Sequence, residues 1–430
     1  MLVTGADQHQ GLAVIRGLGL EGVPVVAASS EMHNIGFHSR FARETAVYRS
    51  PAVGVNAFID DIVRIVARHR VGMIIPAIES TLVALDAFRG RIESICTLAA
   101  PESSVLEIAI DKLKTVALAG RTGVPVPRTL YPRTLQEALE GTRGFRFPVA
   151  LKPRGNYLHA ETRNRLGYKV KYAQTRAQLV ALLESASAGG SLPLIQEYVR
   201  GSGVCVSALF DRGRPVAMFP YRRHREVPLT GGVSVVRESL ALDPRLKEYV
   251  TRMLRAIEWH GIAMVEFKFD EAADHYVLME INGRFQASTA LSLDAGLNFP
   301  YLVYRLYAGK PLAAYPLNYR TGVTERWLRG DINALVQHLS GKTAREAVAE
   351  ARWRLPSRRR ALFAFLKDFG PAVHFDEFKR YDPLPGLIEA AGCARMPLDL
   401  AARAFKKAGR EVARRGLHRR APSASPKAQM

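Results

Sequence analysis

Between Met264 and Phe285 the sequence MVEFKFDEAADHYVLMEINGRF alternates apolar and polar residues along two arms joined by a polar turn. Alternation of period two belongs to a half-buried strand, so the segment reads as a β-hairpin with its turn centred on Glu271–Asp274. In that register Val265, Phe267 and Phe269 share one face with Val277, Met279 and Ile281. The opposite face receives Glu266 and Lys268 from the first arm, and Glu280 and Asn282 from the second, with Glu266 opposite Glu280. Like charges directly opposite destabilise a sheet, and half-buried carboxylates held together usually have a cation between them. Hard oxygen donors suit Mg²⁺, with Mn²⁺ as the alternative. Arg284 continues the polar register, and an acid, an amide and a guanidinium at i, i+2 and i+4 look like a phosphate-and-metal site. An edge hairpin with a solvated polar face is the plainer reading of the same residues.

A chain of 430 residues has room for two or three domains. Its 48% hydrophobic and 23% charged residues are those of an ordinary globular protein. No apolar run approaches the ~20 residues that span a bilayer, and the first residues lack the basic-then-apolar pattern of a signal peptide. Cys96, Cys205 and Cys393 are widely spaced without a CxxC, which argues against a disulfide framework or zinc site and for a reducing cytoplasm. The formal net charge of +21 invites an acidic partner. Residues 331–430 hold 20 Lys/Arg against 10 Asp/Glu, so about half the excess sits in the last quarter. A stripe of Leu398, Ala401, Phe405, Ala408 and Val412 makes Pro397–Arg420 a candidate basic amphipathic helix. Nucleic acid is disfavoured as a partner, while peripheral membrane contact through this basic C-terminus stays open.

The first segment alternates strands and helices, with strands at Met1–Thr4, Val23–Ala28 and Gly72–Pro76 and helices at Leu12–Leu20, Asn56–His69 and from Ser80. That order predicts a parallel α/β unit. Its first turn, Gly5-Ala6-Asp7-Gln8-His9-Gln10-Gly11, lacks GxGxxG, so the dinucleotide fingerprint is missing. A second unit starts near Ser103, with a helix over Ile108–Arg121 and further strands at Phe147–Pro153, Tyr168–Tyr172, Leu194–Val199, Val204–Phe210 and Pro215–Met218. Helices are expected over Ala177–Ser185 and Leu246–His260. From about Tyr315 the sequence reads as mainly helical, and its final ten residues as disordered. The division expected is therefore residues 1–102, 103–314, 315–420 and 421–430.

Lys152 ends the apolar strand FPVALK before Pro153-Arg154-Gly155, where an ammonium can neutralise phosphate. Lys112 lies in Asp111-Lys112-Leu113-Lys114-Thr115, Gln196 to Val199 in LIQEYV, and Thr230-Gly231-Gly232-Val233-Ser234 could cradle an anion through its amides. Taken in order, Lys112, then GVPVP, LKP, IQEYV, VEFKFD and MEINGRF resemble the ATP-grasp superfamily, and within it the carbamoyl-phosphate-synthase-like and carboxylate–amine ligase branch. The resemblance covers roughly residues 1–310.

The resemblance implies an N-terminal α/β parallel-sheet domain, an α+β ATP-grasp domain of antiparallel sheets with helices, and a helical C-terminal segment. It implies ATP and Mg²⁺ as cofactors, with Lys112 and Lys152 on the phosphates. Glu197–Val199, with Tyr198 between and Gln196 beside them, would form the adenine hinge. Glu266, Glu280 and Asn282 would hold Mg²⁺, and Arg284 with Lys152 would steady the transferred phosphoryl group. The reaction implied is activation of a carboxylate as an acylphosphate for attack by an amine, with small-molecule substrates and room for a homodimer. Another ATP-dependent phosphoryl transfer on the same fold, or a basic surface-binding protein, remains as the alternative. Arg222, Arg223, Arg225 and Arg237 are candidate clamps for the substrate carboxylate. Two positions depart from the family pattern. Gly203 stands where relatives often carry the carboxylate that takes the ribose hydroxyls, and Gly283 where the terminal motif usually has Pro.

Overall fold

The computed structural model describes residues 1–153, 170–187, 192–229, 231–342 and 355–394. The nearly uninterrupted apolar runs LVT, VVAAS and MIIP are what strands covered on both faces require. They form β1 (Leu2–Thr4), β2 (Val25–Ser29) and β4 (Met73–Pro76), each wholly buried. With β3 (Ala42–Val47) and β5 (Thr97–Leu98) they make a five-stranded parallel sheet in the order β3-β2-β1-β4-β5. The expected parallel unit is present, and β3 and β5 are additions to it. The first turn is tight. Gly5 has φ +75°, and a side chain on Gly11 would meet the Gly5 carbonyl oxygen at 2.1 Å, so both positions need glycine. That turn delivers Gln8 and His9 to the start of the helix His9–Leu20.

The helix expected over Ile108–Arg121 is two helices, Ser103–Ile110 and Lys112–Arg121. Asp111 separates them because its carboxylate caps the second, accepting from the amides of Leu113 at 2.9 Å and Lys114 at 3.4 Å. Lys112 is therefore a first-turn residue, not one on a mid-helix surface. A small antiparallel sheet follows, in the order β6-β9-β7-β8, from β6 (Thr129–Leu130), β7 (Val149–Lys152), β8 (Lys171–Ala173) and β9 (Leu194–Glu197). The helices Leu135–Gly141 and Arg176–Ser187 cover it through Ala138, Leu179 and Leu183 against Val149, Leu151 and Ile195.

The larger sheet has the order β14-β13-β10-β11-β12-β15-β16. Its long strands are β10 (Ser202–Asp211), β11 (Arg214–Val227), β12 (Val233–Ser239), β13 (Gly261–Asp270) and β14 (His275–Asn282). β11 is far longer than the Pro215–Met218 expected, so the Arg222–Arg225 cluster lies within a strand. β15 (Thr324–Arg326) and β16 (Val373–Phe375) come from the C-terminal region, which is not helical throughout. One face packs on the helix Pro244–Ala256 through Val206, Phe210, Val265 and Phe267 against Leu246, Val250 and Leu254. The other packs on Thr289–Asp294 and Phe299–Tyr307, which also meet the helix His9–Leu20.

The hairpin is present, with one change of phase. Glu266 faces Glu280 and Val265 faces Ile281, whereas Phe267 faces Leu278 and Lys268 faces Val277. Met279 is an extra residue, a β-bulge that shifts the alternation on one side of it. Tyr276 and Leu278 therefore join Val265 and Phe267 in the core, in place of the Val277 and Met279 expected there. Met279 turns into a cleft instead. Among the described residues no helix is long and apolar enough to cross a membrane. Thr230, Arg154, Gly155 and the proposed helix Pro397–Arg420, with the segment after it, lie outside the described residues.

Candidate active site

A cleft of about 540 Å³ runs between the small sheet and the large one. It is lined by Lys112, Lys152, Gln196, Glu197, Tyr198, Val199, Glu266, Glu280, Asn282 and Arg284, the ten residues that the resemblance linked to ATP, the metal and phosphoryl transfer. Their segments are far apart in the chain. Lys112 opens a helix, Lys152 ends β7, Gln196 and Glu197 end β9, and the carboxylates sit on β13 and β14.

Lys152 donates to Gln196 Oε1 at 2.7 Å, and Gln196 Nε2 donates to Thr129 Oγ1 at 3.0 Å. Burial, followed by the positive charge of Lys112, pushes the Lys152 ammonium down to about 8. The Glu197 carboxylate accepts from the Arg146 amide at 2.9 Å. The Gln196 side-chain oxygen and one Glu197 oxygen are thus already engaged. Lys268 donates to the Val199 carbonyl at 2.8 Å and lies 4.5 Å from the centre of the Tyr198 ring, which stands edge-on to Tyr172. Lys268 had been placed on the right face by alternation but given no role.

Arg223 from β11 forks onto Glu266, with Nη1 to Oε1 at 2.9 Å and Nη2 to Oε2 at 2.6 Å. Glu280 accepts from Asn282 Nδ2 at 2.9 Å and lies 3.9 Å from Lys112 Nζ. The two facing carboxyls are thereby driven apart. Burial pushes Glu266 up against the pull of Arg223, and the charge of Glu280 adds to the rise. At Glu280 burial works upward too, but Lys112, the Asn282 amide and Lys152 outweigh it and hold this carboxyl below its ordinary value. Arg284 lies 3.6 Å from Glu79 of the parallel-sheet unit, which ties that unit to the cleft.

The four arginines considered as substrate clamps have separate fates. Arg223 serves Glu266. Arg225 is forked onto Asp331 at 2.8 and 2.7 Å and also meets Asp368. Arg237 is fully buried on Glu325 and Asp376. Arg222 does not line the cleft, since it alternates with Arg223 along β11. At Gly203 a side chain would begin 3.0 Å from Arg223 Cδ and 3.3 Å from Glu226 Oε1. Glu226 therefore reaches the space that a side chain at 203 would take, a role no local sequence pattern marks.

Residues 192–330 match the family model described as ATP-grasp in the biosynthetic pathway with Ter operon. The biotin carboxylase domain of Hydrogenobacter thermophilus 2-oxoglutarate carboxylase, solved with MgADP, ADP and bicarbonate, superposes with a TM-score of 0.60 at 19% identity. The match covers 75% of this chain and 73% of that one. The chain has an ATP-grasp fold. Two curated relatives share that resemblance. The carbamoyl phosphate synthase large chain of Pseudarthrobacter chlorophenolicus is 23% identical over 329 residues, covering 72% of this chain and 28% of that protein. The D-aspartate ligase of Enterococcus faecium is 26% identical over 214 residues, covering 46% of this chain and 50% of that protein. The chain thus spans half or less of the length of these ATP-grasp relatives.

Proposed function

We propose that the chain is an ATP-dependent carboxylate–amine ligase. The observation that carries this reading is the convergence of Lys112, Lys152, Glu266, Glu280, Asn282 and Arg284 on one cleft. A substrate carboxylate oxygen attacks the γ-phosphorus, the bond to the β-phosphate oxygen breaks, and ADP leaves. An amine then attacks the acyl carbon and phosphate departs, with loss of one proton from nitrogen. This chemistry needs charge neutralisation and alignment more than a protein nucleophile.

In this reading Lys112 and Lys152 hold the phosphates, and Arg284, kept in place by Glu79, meets the transferred group. The end of β9 lines the adenine, with Tyr198 and Val199 braced by Lys268. Glu226 takes the ribose hydroxyls that a carboxylate at 203 would otherwise take. The donor set fits Mg²⁺: two carboxylates face each other across a ladder, with an amide oxygen beside them and half-buried surroundings. Glu266, Glu280 and Asn282 would hold the ion, which would offset phosphate charge when bound. Residues 1–102 would then flank the substrate end, 103–314 carry catalysis, and β15 and β16 from the C-terminal region close the sheet. A cytoplasmic enzyme, with small-molecule substrates and room for a homodimer, fits this reading and the three free cysteines.

The test is phosphate release from ATP over pools of carboxylates and amines. Amide formation matched to ADP and phosphate supports the ligase. Phosphorylated product without amine dependence indicates another phosphoryl transfer on the same fold.

A further inference from the structure

Beside the cleft, which His9 lines, His9, Asp376 and Glu377 bring one ligand atom each to within 4.8 Å of one another. Asp376 and Glu377 are each 3% exposed. His9 Nδ1, Asp376 Oδ1 and Glu377 Oε1 are all buried without a well-aligned hydrogen bond, the shortest approach among them being Nδ1 to Oε1 at 2.7 Å. His9 and Glu377 have each other as an ion pair, but Asp376 Oδ1 has no partner, and an unpaired buried polar atom is costly.

The surroundings hold these atoms in place. Arg16, itself buried, donates to the carbonyls of Asp376 at 2.8 Å and Glu377 at 2.6 Å and so fixes the backbone of both acids. Arg237 engages Asp376 through Oδ2, which leaves Oδ1 as its unpaired atom. The His9 ring lies against Trp327, with centroids 4.6 Å apart, at the start of the helix His9–Leu20. Charge balance points the same way. Asp376 shares Arg237 with Glu325, which Lys379 also meets at 3.4 Å, and Glu389, a third acid nearby, lies 3.6 Å from Arg329. Glu377 is left with His9 as its counter-charge.

We propose that His9, Asp376 and Glu377 bind one divalent cation, Zn²⁺ or Mn²⁺, that fastens the segment after β16 to the first helix. An imidazole with two carboxylates is a mixed set suited to these ions rather than to Mg²⁺, which prefers oxygen and water. Donors at about 2.0–2.2 Å from a metal stand roughly 3–3.5 Å from each other. Seating the ion thus needs side-chain shifts that part His9 from Glu377 and draw donors up to 4.8 Å apart closer together.

The experiment uses the full chain, stripped with chelator and dialysed against Zn²⁺ or Mn²⁺ in excess Mg²⁺. Wild type and Glu280→Gln should each retain one equivalent and gain thermal stability from it by mass action. Glu377→Gln and His9→Ala should lose both the bound metal and the gain. Substoichiometric metal in wild type overturns the proposal, as does equal retention by His9→Ala and wild type. Should Glu377→Gln fail to fold, His9→Ala still decides, because His9 lies at the cleft edge. These readouts need no ligase activity, so the result is independent of the function proposed above.

Discussion

Glu266 and Glu280 face each other directly across the β13–β14 ladder, and the extra residue Met279 gives them that register. A ladder without it, closed by the same turn, would set Glu266 against residue 279. The bulge thus creates the electrostatic conflict that Arg223, Lys112 and a metal would resolve.

Glu280→Gln keeps the shape and the Asn282 contact but removes the charge that Lys112 and the metal would meet. We expect turnover to fall by about 10²–10³, the usual cost of losing one electrostatic contact to the reacting groups. Circular dichroism and melting temperature should stay near wild type. Near-normal kcat in a folded variant would remove this residue from the mechanism.

Arg223→Met takes away the fork on Glu266, a carboxyl already pushed up by burial. Breaking a buried pair leaves an uncompensated charge, and a loss of ~3 kcal/mol in unfolding free energy is expected at neutral pH. Without Arg223 the folded pKa of Glu266 rises further above its unfolded value. The deficit should therefore shrink on acidification, as Glu266 takes up its proton. Urea unfolding at two pH values checks both size and sign.

Lys152 sits near 8 in the folded protein, against 10.5 for an ordinary lysine. As pH rises through about 8 the ammonium is lost from the free protein, so kcat/KM for ATP should fall by up to tenfold per pH unit. Stability should move the other way. Between about 8 and 10.5 the unfolded chain binds more protons than the native one, so unfolding free energy rises with pH there. Lys152→Arg, charged throughout, should flatten the rate profile.

Glu226→Ala tests the replacement for the side chain missing at Gly203. If Glu226 meets the ribose hydroxyls, KM for ATP should rise about tenfold, the worth of one charge-assisted hydrogen bond. The KM for 2′-deoxy-ATP should change much less. Equal effects on both nucleotides would indicate that Glu226 acts only through Arg223, whose Nη1 lies 3.4 Å from its carboxylate.

The strands of the first domain and both hairpin arms were legible because burial imposes a period that local sequence records. The bulge was not. Met279 is apolar and fits an uninterrupted alternation, so nothing local separates an inserted residue from an inward one. The ten cleft residues were legible as an ordered set of motifs, but their partners were not. Arg223 and Glu266 lie 43 positions apart on different strands, and Arg223 looked like one of four equivalent arginines. Asp111 was a cap signal overridden in the reading by the helical pattern on either side of it. The acids after β16 carried no signal, because their meaning depends on helix residues 360 or more positions earlier.

Arg16 has a consequence for how the chain is made. Its guanidinium is satisfied by Asp376, Glu377 and Asp382, and its side chain is 1% exposed. During synthesis the first helix emerges long before those partners exist, and a charge that must be buried cannot be buried alone. The N-terminal sheet can collect its apolar strands early, but the helix covering it cannot settle with Arg16 inward until residue 382 has left the ribosome. Closure of the first domain is then among the last events of folding, and the long loop it spans makes that step slow. A chain released before residue 382 should present this helix face to chaperones and proteases.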